Sequence, residues 1–208
     1  MDESGIPRTG LALYTALGVP TADAADILHA WQALRDRWSH DHGIPPEYEL
    51  HANGFLAGRG RPGGRNPRKI ERYRMAQEAL DVIAAQPGLH ITTVYTQDLT
   101  HWGLAKRRAY DRLLRLLDQR ATETGEILAL VVDGDGSEHL YADAHLRLRP
   151  SRIPHPAAAV PAHTSPHLQM ADLVAYCACQ TIARRPSRQF MWGWHARHLP
   201  KATAPERC

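Results

Sequence analysis

The feature that most constrains the fold is an alternation along the chain between strand-like and helix-like apolar periodicity. Short apolar or alternating runs bounded by turn residues predict strands, and apolar residues three or four positions apart predict helices. Strands are predicted at 10–20, 89–97 and 126–133, and helices at 21–40, 66–88, 104–125 and 165–185. Strands that alternate with helices are typical of the α/β class, so we expect a mixed sheet flanked by helices.

The composition is that of a globular domain. The chain has 208 residues, of which 43% are hydrophobic and 23% charged, with a formal net charge of +3. These values argue against disorder and suit one domain, which we place at 1–185 and follow with a C-terminal tail at 186–208. The longest apolar run, EILALVVD, is too short to span a bilayer. The sequence also lacks the pattern of a secretory signal, so we predict a cytoplasmic protein without a membrane partner.

The predicted strand 126–133 ends in Asp133, within VVDGDG. Open α/β sheets bind ligands beyond the carboxyl ends of their strands, which makes Asp133 a candidate for chemistry. An Asx turn made by Asp133 and Asp135 explains this fragment equally well. An EF-hand loop is excluded, because the positions that require Gly and Glu hold Glu138 and Ala144. The fragment also resembles the nucleophile loop of haloacid-dehalogenase-type phosphatases, although that loop normally lies near the start of the chain.

A second candidate carboxylate, Asp172, lies on the last predicted helix. It shares a face with Gln169 and Tyr176 in an otherwise apolar segment. A carboxylate is costly to bury unless it is paired or binds a cation, and Asp172 lies too far into the helix for the helix dipole to explain it. A third, weaker signal is YELHA, in which Glu49 and His51 follow a proline break. Such a pair is more often solvated than functional.

Four fragments, taken in order, resemble a known family. They are DESG at 2–5, ELHA at 49–52, LALVVDGDG at 128–136 and QMADLVAY at 169–176. The bacterial and phage proteins grouped as domain of unknown function 3800 show a strand ending in DESG, an E-x-H element, a hydrophobic strand ending in Asp and a late Q-x-A-D-L-V-A helix. The resemblance covers roughly residues 2–185, and its most specific motif is the last.

The resemblance implies a ribonuclease-H-like fold. In that fold a first strand, a helix, a central strand and a late helix each deliver one carboxylate to a shared cleft. The implied metal ligands and catalytic carboxylates are Asp2, Glu49, Asp133 and Asp172. His51 is a further catalytic candidate, which could protonate a leaving group or orient a water.

The start of the chain departs from the family pattern. The family usually has a full hydrophobic strand before DESG, whereas here DESG begins at residue 2. We therefore expect the first strand to be missing or truncated and Asp2 to have no sheet ladder to hold it. An inactive nucleic-acid-binding or interaction protein on the same fold is the alternative that this departure favours.

The chemistry of clustered carboxylates predicts a cofactor. Three or four such groups raise one another's pKa unless a divalent cation neutralises them. Ligand sets made only of oxygen suit Mg²⁺ or Mn²⁺, and two such ions about 4 Å apart can activate a water and stabilise the leaving oxygen of a phosphodiester. The sequence thus predicts a metal-dependent phosphodiester hydrolase, a nuclease.

A basic loop follows the YELHA segment. It is rich in glycine and carries five candidate phosphate contacts, namely Arg59, Arg61, Arg65, Arg68 and Lys69. Flexible cationic segments bind phosphates, although such loops are as often only a soluble surface. The predicted partner is nucleic acid, with DNA and RNA equally open.

Overall fold

The computed structural model describes residues 1–99 and 101–208 as an α/β protein. Its strands are β1 (Asp2–Ile6), β2 (Leu11–Gly18), β3 (His90–Gln97), β4 (Val131–Asp133), β5 (Ala158–Val160) and β6 (Glu206–Arg207). Its helices are α1 (Ala24–His42), α2 (Ala52–Leu56), α3 (Lys69–Ala85), α4 (Trp102–Thr124), α5 (Leu140–Leu148), α6 (Pro166–Ala183) and α7 (Trp194–His198). Among the helices described, none is both long and apolar enough to cross a membrane.

The strands form two hydrogen-bonded sets. The larger has the order β1-β2-β3-β6, with β1, β2 and β3 antiparallel and β6 parallel to β3. The smaller is the parallel pair β4-β5. The two sets meet where the amino group of Met1 donates a 2.7 Å hydrogen bond to the carbonyl oxygen of Val131. This bond holds Met1 next to Val131, so Asp2 and Asp133 lie near each other in the fold.

The first strand is present, so the expectation that Asp2 has no ladder is wrong. Asp2 pairs with Thr15 and the whole of DESGI runs antiparallel to β2. The space around the β1 backbone is narrow at Gly5. A Cβ on Gly5 would lie 2.4 Å from the Leu11 carbonyl oxygen and 2.5 Å from the Trp102 ring. Glycine is needed at this position because the backbone of β1 is pressed between β2 and α4.

Two helices cover opposite faces of β2. Leu13 packs against Ala175 and Ala178 of α6, whereas its neighbour Tyr14 packs against the α4 side with Tyr110. Successive side chains of a strand point to opposite faces, so α6 and α4 sandwich the sheet. The predicted α/β class is thereby confirmed, and Ser165 caps α6 as its sequence predicts, accepting a hydrogen bond from the Leu168 amide.

The apolar segment 126–133 forms much less strand than expected. Only Val131–Asp133 is β-strand, and Val132 is its only buried residue. Ile127 is 62% exposed, and residues 126–130 are not strand, so the prediction of a strand over the whole of 126–133 is wrong. Apolar β-branched composition alone does not place a segment inside a sheet, because burial depends on what packs against it.

The segment after α6, for which the sequence predicts no defined structure, is well packed. Met191, Trp194 and Leu199 are buried in the same core as α1 and α3, and β6 pairs with the edge of β3. Residues 186–208 thus pack against α1, α3 and the edge of β3.

Candidate active site

The four predicted carboxylates line a single cavity. Its volume is about 160 Å³, and its walls are Asp2, Glu3, Glu49, Leu50, His51, Asp133, Ala162, Gln169 and Asp172. Asp2 comes from β1, Asp133 from the end of β4, Asp172 from α6, and Glu49 from the loop before α2. Residues 170 positions apart in sequence are brought together by the junction of the two strand sets and the packing of α6 on β1.

Asp172 is anchored to the start of α2. Its Oδ2 atom accepts hydrogen bonds from the Ala52 amide at 2.8 Å and from His51 Nδ1 at 3.1 Å. The bond to Asp172 is the main reason why the pKa of His51 is raised above its ordinary value. The ring of His51 is largely exposed at the mouth of the cavity. His51 thus orients Asp172.

Asp133 and Asp135 behave differently from each other. Asp135 accepts a hydrogen bond from the Ser137 amide two residues on, which is an Asx turn. Asp133 Oδ1 instead accepts a 2.8 Å hydrogen bond from the Ala162 amide, 29 residues away. Of the two explanations for VVDGDG, the local turn applies to Asp135, while Asp133 is directed to the cavity.

Asp2 lies in an unfavourable electrostatic position for a charged carboxylate. It is only 8% exposed, and burial, followed by the negative charges of Asp172 and Asp133, raises its pKa well above the ordinary value. The amino group of Met1 opposes this rise, but burial lowers its own pKa to about 6. The negative charges of Asp172 and Asp133 thus act on the buried Asp2, and the Met1 amino group offsets their effect only in part.

Gln169 connects three parts of the site, a role that the sequence interpretation did not assign. Its Oε1 accepts a hydrogen bond from the Leu50 amide at 3.0 Å, and its Nε2 donates to the Ala162 carbonyl at 3.2 Å. Leu50 follows Glu49, and the Ala162 amide holds Asp133. One buried amide side chain thus sets the spacing between Glu49 and Asp133. The available signal was its position, one turn before Asp172 on the same helix face.

Glu3 lines the cavity, but its side chain is bonded to Tyr14 and Lys106 rather than grouped with the four candidate acids. It accepts a 2.9 Å hydrogen bond from the buried Tyr14 hydroxyl and pairs with Lys106 at 2.8 Å. Lys106 also pairs with Glu138 at 2.6 Å. This network fixes the start of β1 against α4. The ammonium group of Lys106 lies beside the cavity but pairs with Glu3 and Glu138, not with the four acids.

Two buried arginines hold the loops around the site through backbone carbonyls. Arg35 on α1 donates to the carbonyls of Pro45, Pro46 and Tyr48, just before Glu49. Arg72 on α3 is fully buried. It donates to the oxygen atoms of Phe55, Arg59, Gly60, Asn66 and Pro67.

The signal for these arginines was their placement on the apolar faces of their helices. Arg35 lies four residues after Trp31, and Arg72 four residues before Ala76, and both of these apolar residues are buried. The sequence interpretation passed over both arginines because charged residues are mostly exposed.

The basic loop lies outside the cavity. All five predicted phosphate-contacting side chains are exposed, namely Arg59, Arg61, Arg65, Arg68 and Lys69. None of them lines the cavity. The loop leaves the carboxyl end of α2, whose amino end contacts Asp172, so it borders the site rather than forming it.

The donor set suits a hard divalent cation, although the side chains are not yet arranged around one. The four acids offer only oxygen ligands to a shared, partly buried space, the environment that Mg²⁺ and Mn²⁺ prefer. Among residues 1–99 and 101–208, no group of three or more His, Cys, Asp or Glu side chains is already disposed to hold a metal ion. Asp172 and Asp133 each accept a hydrogen bond from a backbone amide that is distant in sequence, and each does so through one oxygen only. The other oxygen of each has no donor within the described part of the chain.

Comparison of the chain with models of protein families, with curated proteins and with solved structures found no match.

Proposed function

We propose that this protein is a metal-dependent phosphodiester hydrolase, a nuclease, whose active site is the cavity of Asp2, Glu49, Asp133 and Asp172. The observation that carries the proposal is their convergence: four acids from four separate segments of the chain line one cavity of about 160 Å³. Carboxylates that share one cavity repel one another, and a bound cation would relieve that repulsion. A bound Mg²⁺ or Mn²⁺ would neutralise them and polarise a phosphate.

A ribonuclease-H-like arrangement is part of the proposal. Support comes from the elements that carry the acids: Asp2 is on the first strand, Asp133 ends β4 and Asp172 is on the late helix α6. Glu49 differs, since it lies on the loop before α2. The likeness to the domain of unknown function 3800 proteins rests on the same four motifs.

The chain's own residues have distinct roles in this mechanism. The four carboxylates would hold the cation, and the amides of Ala52 and Ala162 orient two of them by hydrogen bonding. His51 is exposed at the mouth and bonded to Asp172, so it can donate a proton to a leaving oxygen or orient a water. The exposed basic loop beside the site supplies the charge that holds an anionic backbone.

Nucleic-acid binding without cleavage is the second candidate. It is favoured by the absence of a formed coordination group among the described residues together with the exposed basic loop. The two candidates differ in whether the cavity binds a metal.

Addition of Mn²⁺ or Mg²⁺ is expected to stabilise the protein. A cation at a concentration of 100 times its Kd adds about 2.7 kcal/mol to the free energy of unfolding. For a chain of this size that raises Tm by roughly 5–10 °C. Thermal unfolding with increasing Mn²⁺ measures the effect, and isothermal titration calorimetry gives the Kd.

The matched controls are two Asp→Asn variants. Asp133→Asn removes a proposed ligand and should abolish the Mn²⁺ shift, whereas Asp41→Asn, at an exposed position on α1, should keep it. Equal stabilisation of both variants by Mn²⁺ would place the cation elsewhere and contradict the proposal.

Gln169→Leu is expected to weaken Mn²⁺ binding about 10- to 100-fold, the usual cost of losing a residue that orients metal ligands. Leucine keeps most of the side-chain volume but cannot bond the Leu50 amide or the Ala162 carbonyl. The control is Gln180→Leu, on the same helix, where the buried Oε1 atom has no hydrogen-bond partner. Calorimetric titration of both variants checks the prediction, which an unchanged Kd for Gln169→Leu would refute.

A further inference from the structure

An aromatic cluster beside α3 is not used by the proposed chemistry. The rings of Tyr73 and Phe190 stack with their centroids 4.2 Å apart, and Trp194 meets Phe190 edge-on at 5.6 Å. We call these three residues the aromatic platform. Trp194 is buried in the core, but Phe190 is 41% exposed, and the neighbouring Ile70 is 51% exposed. A ring that is fixed from below and open to solvent offers a stacking surface to another flat ring.

Positive charge is concentrated in the segments that supply this platform. Residues 59–74 and 184–201 together hold twelve of the 25 Lys and Arg residues and one of the 22 Asp and Glu residues. Because the whole chain has a net charge of only +3, the remainder is net negative. Of the twelve, Arg72 is buried; the other eleven are at least partly exposed and complement a polyanion, and the nearby aromatic rings suit a polyanion that carries flat bases.

The platform is close to the carboxylate cavity. The first amide of helix α2, that of Ala52, donates a hydrogen bond to Asp172. At the other end of α2, the Leu56 carbonyl accepts a 3.3 Å hydrogen bond from Arg188. A helix rises about 1.5 Å per residue, so the Arg188 guanidinium lies on the order of 10 Å from Asp172. Phe190 is two residues after Arg188, on a segment that packs against α6. A strand rising about 3.4 Å per nucleotide covers this distance in a few nucleotides.

We infer that the aromatic platform binds unpaired bases of a single-stranded nucleic acid, while Arg188 and the basic loop hold its phosphates and lead the strand to the carboxylate cavity. The inference rests on the proposed function for the nature of the ligand, and it adds the substrate class. Bases inside a duplex are stacked on their neighbours and do not present a face to a surface ring, whereas unpaired bases do.

The test is a binding assay without metal, in which fluorescence anisotropy is measured in the presence of EDTA. The probes are labelled oligothymidine, labelled oligouridine and a labelled DNA duplex of equal length. The native protein should prefer the single strands. Phe190→Leu, which keeps an apolar side chain but removes the ring, should weaken single-strand binding roughly 5- to 150-fold. Phe190→Trp should restore it, and Leu146→Ala, at an apolar position that is 72% exposed on α5, should leave it unchanged.

Two results would overturn the inference: equal affinity of Phe190→Leu and the native protein for single strands, or tighter binding of the duplex. If Phe190→Leu does not fold, photocrosslinking of 5-iodouracil oligonucleotides to the native protein takes its place, and crosslinks confined to residues outside the platform would refute the inference. Failure of the proposed function gives a different pattern. Single-strand binding that depends on Phe190, with no cleavage in Mn²⁺, would contradict the proposed nuclease activity and support base binding by the aromatic platform.

Discussion

Asp172→Asn is expected to reduce the proposed metal-dependent cleavage of nucleic acid by at least about 100-fold, since loss of a proposed metal ligand removes several kcal/mol of transition-state stabilisation. The substitution should leave the fold intact. The Asn side-chain oxygen can still accept the hydrogen bond from the Ala52 amide that Asp172 accepts now, so only the charge is lost. Cleavage of a mixed panel of DNA and RNA in Mn²⁺, with circular dichroism to monitor folding, measures the effect.

Asp133→Asn provides an independent test, because its side-chain oxygen can likewise keep the bond from the Ala162 amide. Both variants should fail on the same substrates, and Asp41→Asn should cleave at the native rate. A folded Asp133→Asn/Asp172→Asn double variant that cleaves as fast as the native protein would end the proposed mechanism.

Arg72→Met is expected to lower the free energy of unfolding by roughly 3 kcal/mol or more, because buried carbonyl groups lose a charged donor and gain none. The guanidinium of Arg72 bonds four carbonyl oxygens and the Asn66 side chain, while methionine retains the packing of the stem. For a chain of this size the loss corresponds to a fall in Tm of about 10 °C. Urea unfolding of the variant measures the change.

The matched control is Arg74→Met, two residues along the same helix and exposed. It should change stability by less than about 0.5 kcal/mol. The basic loop should also become the preferred site of trypsin cleavage in Arg72→Met, since its backbone loses its anchor. Equal stability and equal proteolysis of the two variants would show that the carbonyls find other partners.

The parts of the fold that sequence predicts best are those set by local pattern. Helix α6 shows regular apolar spacing and a capping serine, and the one carboxylate on its face, Asp172, is a site residue. Strand β1 shows the opposite case. DESGI contains one large apolar residue, Ile6, and its conformation comes from pairing with β2 and from the narrow space at Gly5. Pairing between segments has no local signature, so the sequence predicted a missing or truncated strand and no ladder for Asp2, which in the structure pairs with Thr15.

The candidate site divides in the same way. Asp172 and Asp133 could be nominated because a carboxylate among apolar residues, or at a strand end, is unusual, whereas Asp2 and Glu49 were implied as ligands only by the family resemblance. The groups that position them could not, since the amides of Ala52 and Ala162 are backbone atoms that any residue supplies. Only the folded chain reveals which amide meets which acid.

The way in which Arg72 holds the basic loop has a consequence for protein engineering. Four of its five acceptors are main-chain oxygens, so the course of the loop depends little on the identity of the side chains that it displays. Arg59, Arg61 and Arg65 could then be exchanged for other residues, singly or as a library, while the scaffold beneath them keeps its shape. The charge and shape of that surface could be altered without rebuilding the domain.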